Sequence, residues 1–148
     1  MAGNAARDFF DGLDRAAIVE AIQRAEAKSF GEIRVHLHHG SVSDARAEAE
    51  KTFLKLGMDK TARGSGCLIF LAPASRAFAV VGGTGIHGKV GDGFWLEARD
   101  AARERFTEGK FTDGIVAAVA KLGDALARFF PRDGSEDRNE LPDDVTED

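Results

Sequence analysis

The chain has 148 residues, of which 43% are hydrophobic and 30% charged, as expected for one globular domain with a buried core. No apolar run approaches the ~20 residues of a membrane span, and no signal peptide is visible, so we expect a cytoplasmic protein without a membrane partner. The single cysteine, Cys67, excludes an internal disulfide and is predicted to be a buried, unreactive thiol.

The negative charge is concentrated at the end of the chain. Residues 131–148 hold eight acidic and two basic residues, a net of −6, whereas the preceding residues hold 17 acidic and 18 basic, a net of +1. Acidic residues repel phosphates, so no nucleic-acid partner is expected. We predict a domain over residues 1–131 and an acidic tail over 132–148. The tail is either solvated or packed back through residues 141–145, between Leu141 and Val145.

The first predicted helix begins near Asp11, interpreted as its N-cap, and ends before Gly31. The next residues alternate between apolar and polar, which is the period of a half-buried strand. The apolar face of this strand carries Ile33, Val35 and Leu37. The other face, expected to be exposed to solvent, carries Glu32, Arg34, His36 and His38.

A second helix is predicted to begin at Ser43 and Asp44 and to end before Gly57. The apolar run 67–72 predicts a strand buried on both faces, and a short turn returns residues 77–81 antiparallel to it. Two helices follow, one containing Trp95 and one ending at Pro131. The order α-β-α-β-β-α-α predicts an α/β fold with a short mixed sheet.

The predicted topology brings three carboxylates to one edge of the sheet. Strands one and two are joined by a helix and should be parallel, whereas strand three should run antiparallel to strand two. The end of strand three therefore lies beside the starts of the other two. We expect Glu32, Asp59 and Asp92 to lie there.

Carboxylates beside the glycine-rich segment with Gly82, Gly83 and Gly85 suit a hard cation, calcium or magnesium, which prefers oxygen ligands. The EF-hand spacing is absent. Each acid also has a plain structural interpretation: Asp59 as a turn residue, Glu32 as an exposed strand residue, and Asp92 as a helix N-cap. The residues alone leave both interpretations open.

The same segment contains a G-x-G-x-x-G pattern at Gly83, Gly85 and Gly88. A dinucleotide-binding fingerprint requires a helix at the third glycine and then another parallel strand. Gly91 and Gly93 are instead predicted to continue the loop, and no later strand is predicted, so we expect no NAD or FAD. The glycines are predicted to let the backbone bend and approach another segment closely.

The histidines suggest zinc at first sight, but zinc needs convergent ligands. His36 and His38 are predicted to lie on a solvent-exposed strand face, and His87 at the opposite edge of the sheet, so we interpret the histidines, including His39, as surface residues. No nucleophile elbow, P-loop or D-x-D phosphatase motif occurs. Asp113 with Thr112 is interpreted as a helix cap.

Several segments, in the same order and over nearly the whole chain, resemble the TPM domain family, specifically its soluble, anchor-less bacterial branch. They are residues 31–36, 56–58, 60–61, 66–72, 80–82, 85–87, 89–92, 94–95 and 139–142. The resemblance implies a three-layer α/β/α sandwich and the binding of calcium or magnesium near the loops. For plant thylakoid-lumen relatives it implies acid phosphatase activity.

The chain departs from the family pattern in three places. Gly83 stands where relatives commonly have aspartate, residues 64–66 replace an R-N-G sequence, and Asp59 stands where relatives often have histidine. The first departure removes a candidate ligand, for which Asp59 could compensate.

Two functions follow from the sequence. One is a cation-binding, non-catalytic module that presents its loops to a protein partner. The alternative is a metal-assisted phosphatase acting on phosphomonoesters through a metal-bound water. The first is favoured because no general base or oxyanion arginine is evident beside the carboxylates; Arg63 is the nearest basic candidate.

Overall fold

The computed structural model describes residues 2–132 and 145–148. Three short 3₁₀ turns, Met58–Lys60, Ala62–Gly64 and Pro73–Ser75, occur in the connections. The helices and strands, in chain order, are α1 (Ala2–Asp11), α2 (Arg15–Glu26), β1 (Glu32–Leu37), α3 (Ala45–Lys55), β2 (Gly66–Ala72), β3 (Ala77–Gly82), α4 (Thr84–Val90), α5 (Asp92–Phe106), α6 (Phe111–Phe129) and β4 (Val145–Glu147).

The described strands form a mixed sheet in the order β3-β2-β1-β4. β1 and β2 are parallel, with Glu32 opposite Gly66, and β3 returns antiparallel, with Gly82 opposite Cys67. The predicted α/β class, parallel pair and antiparallel return are thus confirmed. β4 adds a strand on the other side of β1, in parallel register.

Helices cover both faces of the sheet, which confirms the three-layer architecture. On one face, Ile33, Val35 and Leu37 pack in the larger core with residues of α2, α5 and α6. On the other, Ala49 and Phe53 of α3 pack in a smaller core with residues of β2 and β3. Among the described residues, no helix is both long enough and apolar enough to cross a bilayer.

The predicted exposure of the polar face of β1 is wrong. Glu32, Arg34 and His36 are only 3%, 6% and 4% exposed. The reason is tertiary, because β1 lies between β2 and β4 rather than at an edge. In addition, the ring of Phe70 on β2 stacks on His36, with centroids 5.9 Å apart. A period of two shows which residues share a face, but not what covers that face.

Two predicted caps are confirmed and two are wrong. Asp44 caps α3 by accepting from the amide of Ala47, and Gly57 follows that helix in the left-handed conformation, with φ 75°. At α2 the N-cap is Asp14 rather than Asp11, which ends α1. At α6 the N-cap position is Lys110; Asp113 lies in the first turn, where a carboxylate still interacts favourably with the helix dipole.

Three elements lie outside the predicted order: α1, α4 and β4. The predicted loop after β3 is largely the helix α4, even though glycine disfavours helix, because tertiary packing overrides local propensity. In β4, Val145 is buried and pairs with Val35, whereas Leu141 and Pro142 lie outside the described residues.

Candidate functional site

The three strand ends meet as the topology predicts. β1 begins at Glu32, β2 at Gly66, and β3 ends at Gly82. The amide of Gly83 donates to the carbonyl of Gly66 at 2.9 Å, and the amide of Glu32 donates to the carbonyl of Ser65 at 3.3 Å. The sheet edge therefore joins the start of β1, the segment 58–66 and the start of α4 in one place.

The glycines after β3 permit a close approach of two backbones. A Cβ atom on Gly83 would lie 2.6 Å from the carbonyl oxygen of Gly64, and one on Gly64 would lie 2.5 Å from the amide nitrogen of Gly85. The close approach predicted for the glycine segment is therefore made to residues 63–64. Arg63 has a left-handed φ of 54°, an unusual conformation for a non-glycine residue.

The predicted carboxylate ligands occupy different environments. Glu32 is buried, whereas Asp59, in the first 3₁₀ turn, and Asp92, at the start of α5, are exposed. The donor atoms of these three carboxylates do not all lie within 4.8 Å of one another. In the described part of the chain, another group of three side chains meets that criterion: His36, His38 and Asp148. Asp92 lines a cavity with Asp44, Phe78 and Val80, beside β3 and the start of α3. The structure therefore does not assemble the three acids into a compact site.

Asp92 has a defined neighbour in His87. The indole N–H of Trp95 donates to Nδ1 of His87 at 2.9 Å. An indole nitrogen can only donate, so a neutral His87 must carry its proton on Nε2. Nε2 lies 3.4 Å from an Asp92 oxygen, and the Asp92 side chain is 85% exposed. Asp92 is therefore oriented near a proton donor but remains accessible to a cation from solvent.

Three nucleophilic side chains near this edge, those of Ser65, Thr61 and Cys67, are buried or held by other contacts. The Ser65 hydroxyl donates to the carbonyl of Ala62 at 2.6 Å, and the residue is fully buried. The Thr61 hydroxyl donates to the carbonyl of Met58 at 2.9 Å. Burial raises the pKa of the Cys67 thiol far above its usual range, and the nearby Glu26 carboxylate raises it further. None of these groups is placed as an activated nucleophile.

Arg63, a basic residue at this edge, is exposed, and its guanidinium lies over the ring of Phe30, 4.8 Å from the centroid. This contact is a cation–π interaction. The interaction holds the guanidinium near the start of β1. The backbone of Arg63, in its left-handed conformation, packs against Gly85 of α4.

A second group of side chains that could hold a metal ion lies at the other end of β1 and was not predicted from the sequence. His36 and His38 lie there against Asp148, which follows β4. The alternate spacing of the histidines was a usable signal. That spacing does not predict the parallel pairing of β4 with β1. This pairing brings the carboxylate of Asp148, which is distant in sequence, onto the same face as the histidines. His87 lies in α4 and lines a cavity with Val80, Gly82 and Trp95.

Comparison with known proteins gives the family. A family model described as the TPM domain matches residues 4–125. The chain belongs to the TPM domain family. No curated protein sequence matches it.

Two solved structures share the TPM fold of this chain. The BA42 protein of the psychrophilic bacterium Bizionia argentinensis, solved by NMR, is 39% identical with a TM-score of 0.81, over 90% of this chain and 92% of BA42. The N-terminal domain of the cg2496 protein of Corynebacterium glutamicum is 19% identical with a TM-score of 0.58, over 85% of this chain and 74% of that one. The second likeness concerns the fold alone.

Proposed function

We propose that this TPM domain is a divalent-cation-binding, non-catalytic module, whose calcium or magnesium ion binds at the sheet edge described above. The observation that carries the proposal is the register of the strands, with Glu32 opposite Gly66 and Gly82 opposite Cys67. This register brings the start of β1, with Glu32, beside the start of β2 and the end of β3, from which the chain leads through α4 to Asp92. The donors proposed there are oxygens, which calcium and magnesium prefer.

The residues present fit a water-rich site rather than a closed cage. Glu32 is buried, and the three carboxylates do not form a compact group, so they do not surround a cation together. Asp59 and Asp92 are exposed, and an oxygen of Asp92 lies 3.4 Å from Nε2 of His87. Calcium and magnesium complete their coordination with backbone carbonyls and water, so one or two carboxylates and the backbone of Gly82, Gly83 and Gly85 would suffice.

The non-catalytic part of the proposal is supported by the hydroxyls and the thiol near the edge. Ser65 and Thr61 donate to backbone carbonyls, and Cys67 is buried with a raised pKa. A phosphatase acting here would have to depend on a water activated by the bound cation.

The test is a titration of the whole chain with calcium and with magnesium, followed by two-dimensional ¹H–¹⁵N NMR. We expect saturable shifts in Glu32, in residues 59–66 and in residues 82–93. Shifts confined to residues 131–148 would mean loose counterion binding to the acidic tail, and the proposed site would then be abandoned.

A further inference from the structure

The strand β4 is attached to β1 by side chains as well as by its backbone. Nδ1 of His36 lies 2.6 Å from the hydroxyl oxygen of Thr146, and that hydroxyl donates to the carbonyl of Val35 at 3.4 Å. If the hydroxyl proton is directed to Val35, the oxygen accepts from His36, which then carries its proton on Nδ1. In that tautomer the lone pair of a neutral His36 is on Nε2, the atom that faces Asp148.

Nε2 of His36 is buried without an aligned hydrogen bond. It lies 2.9 Å from Oδ2 of Asp148, close enough for an ion pair, yet it has no hydrogen-bond partner among the described residues. We infer from the two observations that the Asp148 oxygen is near but not along the direction in which the ring nitrogen bonds. A buried polar atom without an aligned partner is rare in native proteins.

A second histidine converges on the same carboxylate. Nδ1 of His38 lies 2.6 Å from Oδ1 of Asp148. The ligand atoms of His36, His38 and Asp148 all lie within 4.8 Å of one another. The backbone fixes this arrangement, because the amide of Asp148 donates to Leu37 and the carbonyl of Asp148 accepts from His39.

The two imidazole rings are held in place by one aromatic side chain. Phe70, fully buried on β2, lies 5.9 Å from His36 and 5.4 Å from His38 between ring centroids. The ring of His36 is nearly parallel to that of Phe70, at 17°. The ligand set is therefore largely oriented before any ion arrives, which is the requirement for a selective metal site.

We propose that His36, His38 and Asp148 bind a zinc ion that ties β4 to β1. Two imidazoles and a carboxylate form a ligand set typical of zinc, with a fourth position left for water. Thr146 would act as the outer partner that holds the tautomer of His36, as metal-bound histidines usually require.

The geometry needs only a small adjustment to accept the ion. Zinc bonds of about 2.0–2.1 Å place tetrahedral ligands about 3.3–3.4 Å apart. The nitrogen-to-oxygen distances here are 2.9 Å to His36 and 2.6 Å to His38, so these contacts must lengthen by about 0.4–0.8 Å. The side chains of His38 and Asp148 are 23% and 37% exposed and have room to move.

The site is separate from the proposed calcium or magnesium site, because it lies at the opposite end of β1. The experiment is a zinc titration of the whole chain, freed of metal with a chelator, by calorimetry. Long-range ¹H–¹⁵N spectra of the imidazoles are recorded alongside. We expect one zinc ion per chain, with nitrogen shifts at Nε2 of His36 and Nδ1 of His38.

Matched variants locate the ion. Asp148→Asn and His38→Gln change partly exposed side chains and should each weaken zinc binding by at least about tenfold. His39→Gln is the control, since His39 is adjacent but contacts Glu147 instead, and its affinity should be that of the unaltered chain. Thr146→Val should weaken binding by about tenfold without removing a ligand.

The proposal is overturned if no saturable one-to-one binding occurs, if Asp148→Asn binds zinc as tightly as the unaltered chain, or if His39→Gln loses as much affinity as His38→Gln. Backbone shifts separate this site from the other one. Zinc should move residues 35–39 and 145–148, whereas calcium or magnesium should move residues 59–66 and 82–93.

Discussion

The carbonyl oxygen of Arg63 occupies the space that a side chain on Gly85 would need. A Cβ atom at position 85 would lie 1.8 Å from that oxygen, well inside any tolerated contact. Gly88, one turn further along α4, has open space around the same position. The two glycines therefore have opposite structural roles within one short helix.

This contrast gives a stability prediction. Gly85→Ala must push apart α4 and the segment 62–64 and should cost about 2–3 kcal/mol of unfolding free energy. Gly88→Ala should instead be neutral or stabilise by up to about 1 kcal/mol, because alanine favours helix over glycine. Urea denaturation followed by circular dichroism measures both. Equal losses in the two variants would contradict the close packing of Arg63 on α4.

The proposed role of Asp92 as a cation ligand can be tested by comparison with Asp113, because both aspartates lie in the first turn of a helix. Asp92→Asn should weaken calcium affinity about tenfold, or about 1.4 kcal/mol, because it removes a proposed ligand charge. Asp113→Asn, in the first turn of α6, should leave calcium affinity unchanged and alter stability little. Calorimetric titration checks both variants. A similar loss of affinity in each would show that general surface charge, rather than Asp92 itself, attracts the ion.

The thiol of Cys67 should resist modification in the folded protein. Burial raises its pKa, so the folded state keeps the thiol protonated, and the thiolate is the reactive form. We expect negligible reaction with a disulfide reagent at pH 8, and one reactive thiol per chain after denaturation in guanidinium. Complete reaction within seconds in native buffer would contradict the packing of β2.

The same pKa shift has a consequence for stability at alkaline pH. The pKa of the Cys67 thiol is higher in the folded state than in the unfolded state. This difference therefore stabilises the folded state in full below about pH 8.5, the usual pKa of an unfolded thiol. The stabilisation should decline as the pH rises from there toward the folded-state pKa. Cys67→Ala should lose this dependence, although it also leaves a small cavity. Denaturation of both proteins between pH 7 and pH 10 gives the comparison.

Hydrolysis of p-nitrophenyl phosphate should be slow or absent, and any activity should require a divalent cation. Because the hydroxyls of Thr61 and Ser65 are engaged and Cys67 is buried, we expect a cation-activated water to be the attacking group. The decisive experiment compares rates with magnesium and with excess chelator, in the unaltered chain and in a Glu32→Gln, Asp92→Asn double variant. Fast turnover that survives both changes would require a protein nucleophile, and the exposed Thr84 would be tested before the buried Ser65.

Sequence patterns among neighbouring residues were sufficient to predict much of the fold. Asp44 caps α3 and Gly57 ends it because these conformations depend on a few adjacent residues. The alternation of β1 and the short turn before β3 likewise predicted the sheet edge that joins Gly66 and Gly82. Handedness and short connections leave few ways to assemble such elements.

Contacts between distant residues were decided only by the tertiary structure. The sequence shows that His36 and His38 share one face of β1, and the pairing of β4 decides that this face meets Thr146 and Asp148. Likewise, the glycines after β3 predicted a close approach, but only the fold identifies Arg63 as the partner. Periodicity is a local property of the chain, whereas burial and ligand convergence depend on which remote segment packs there.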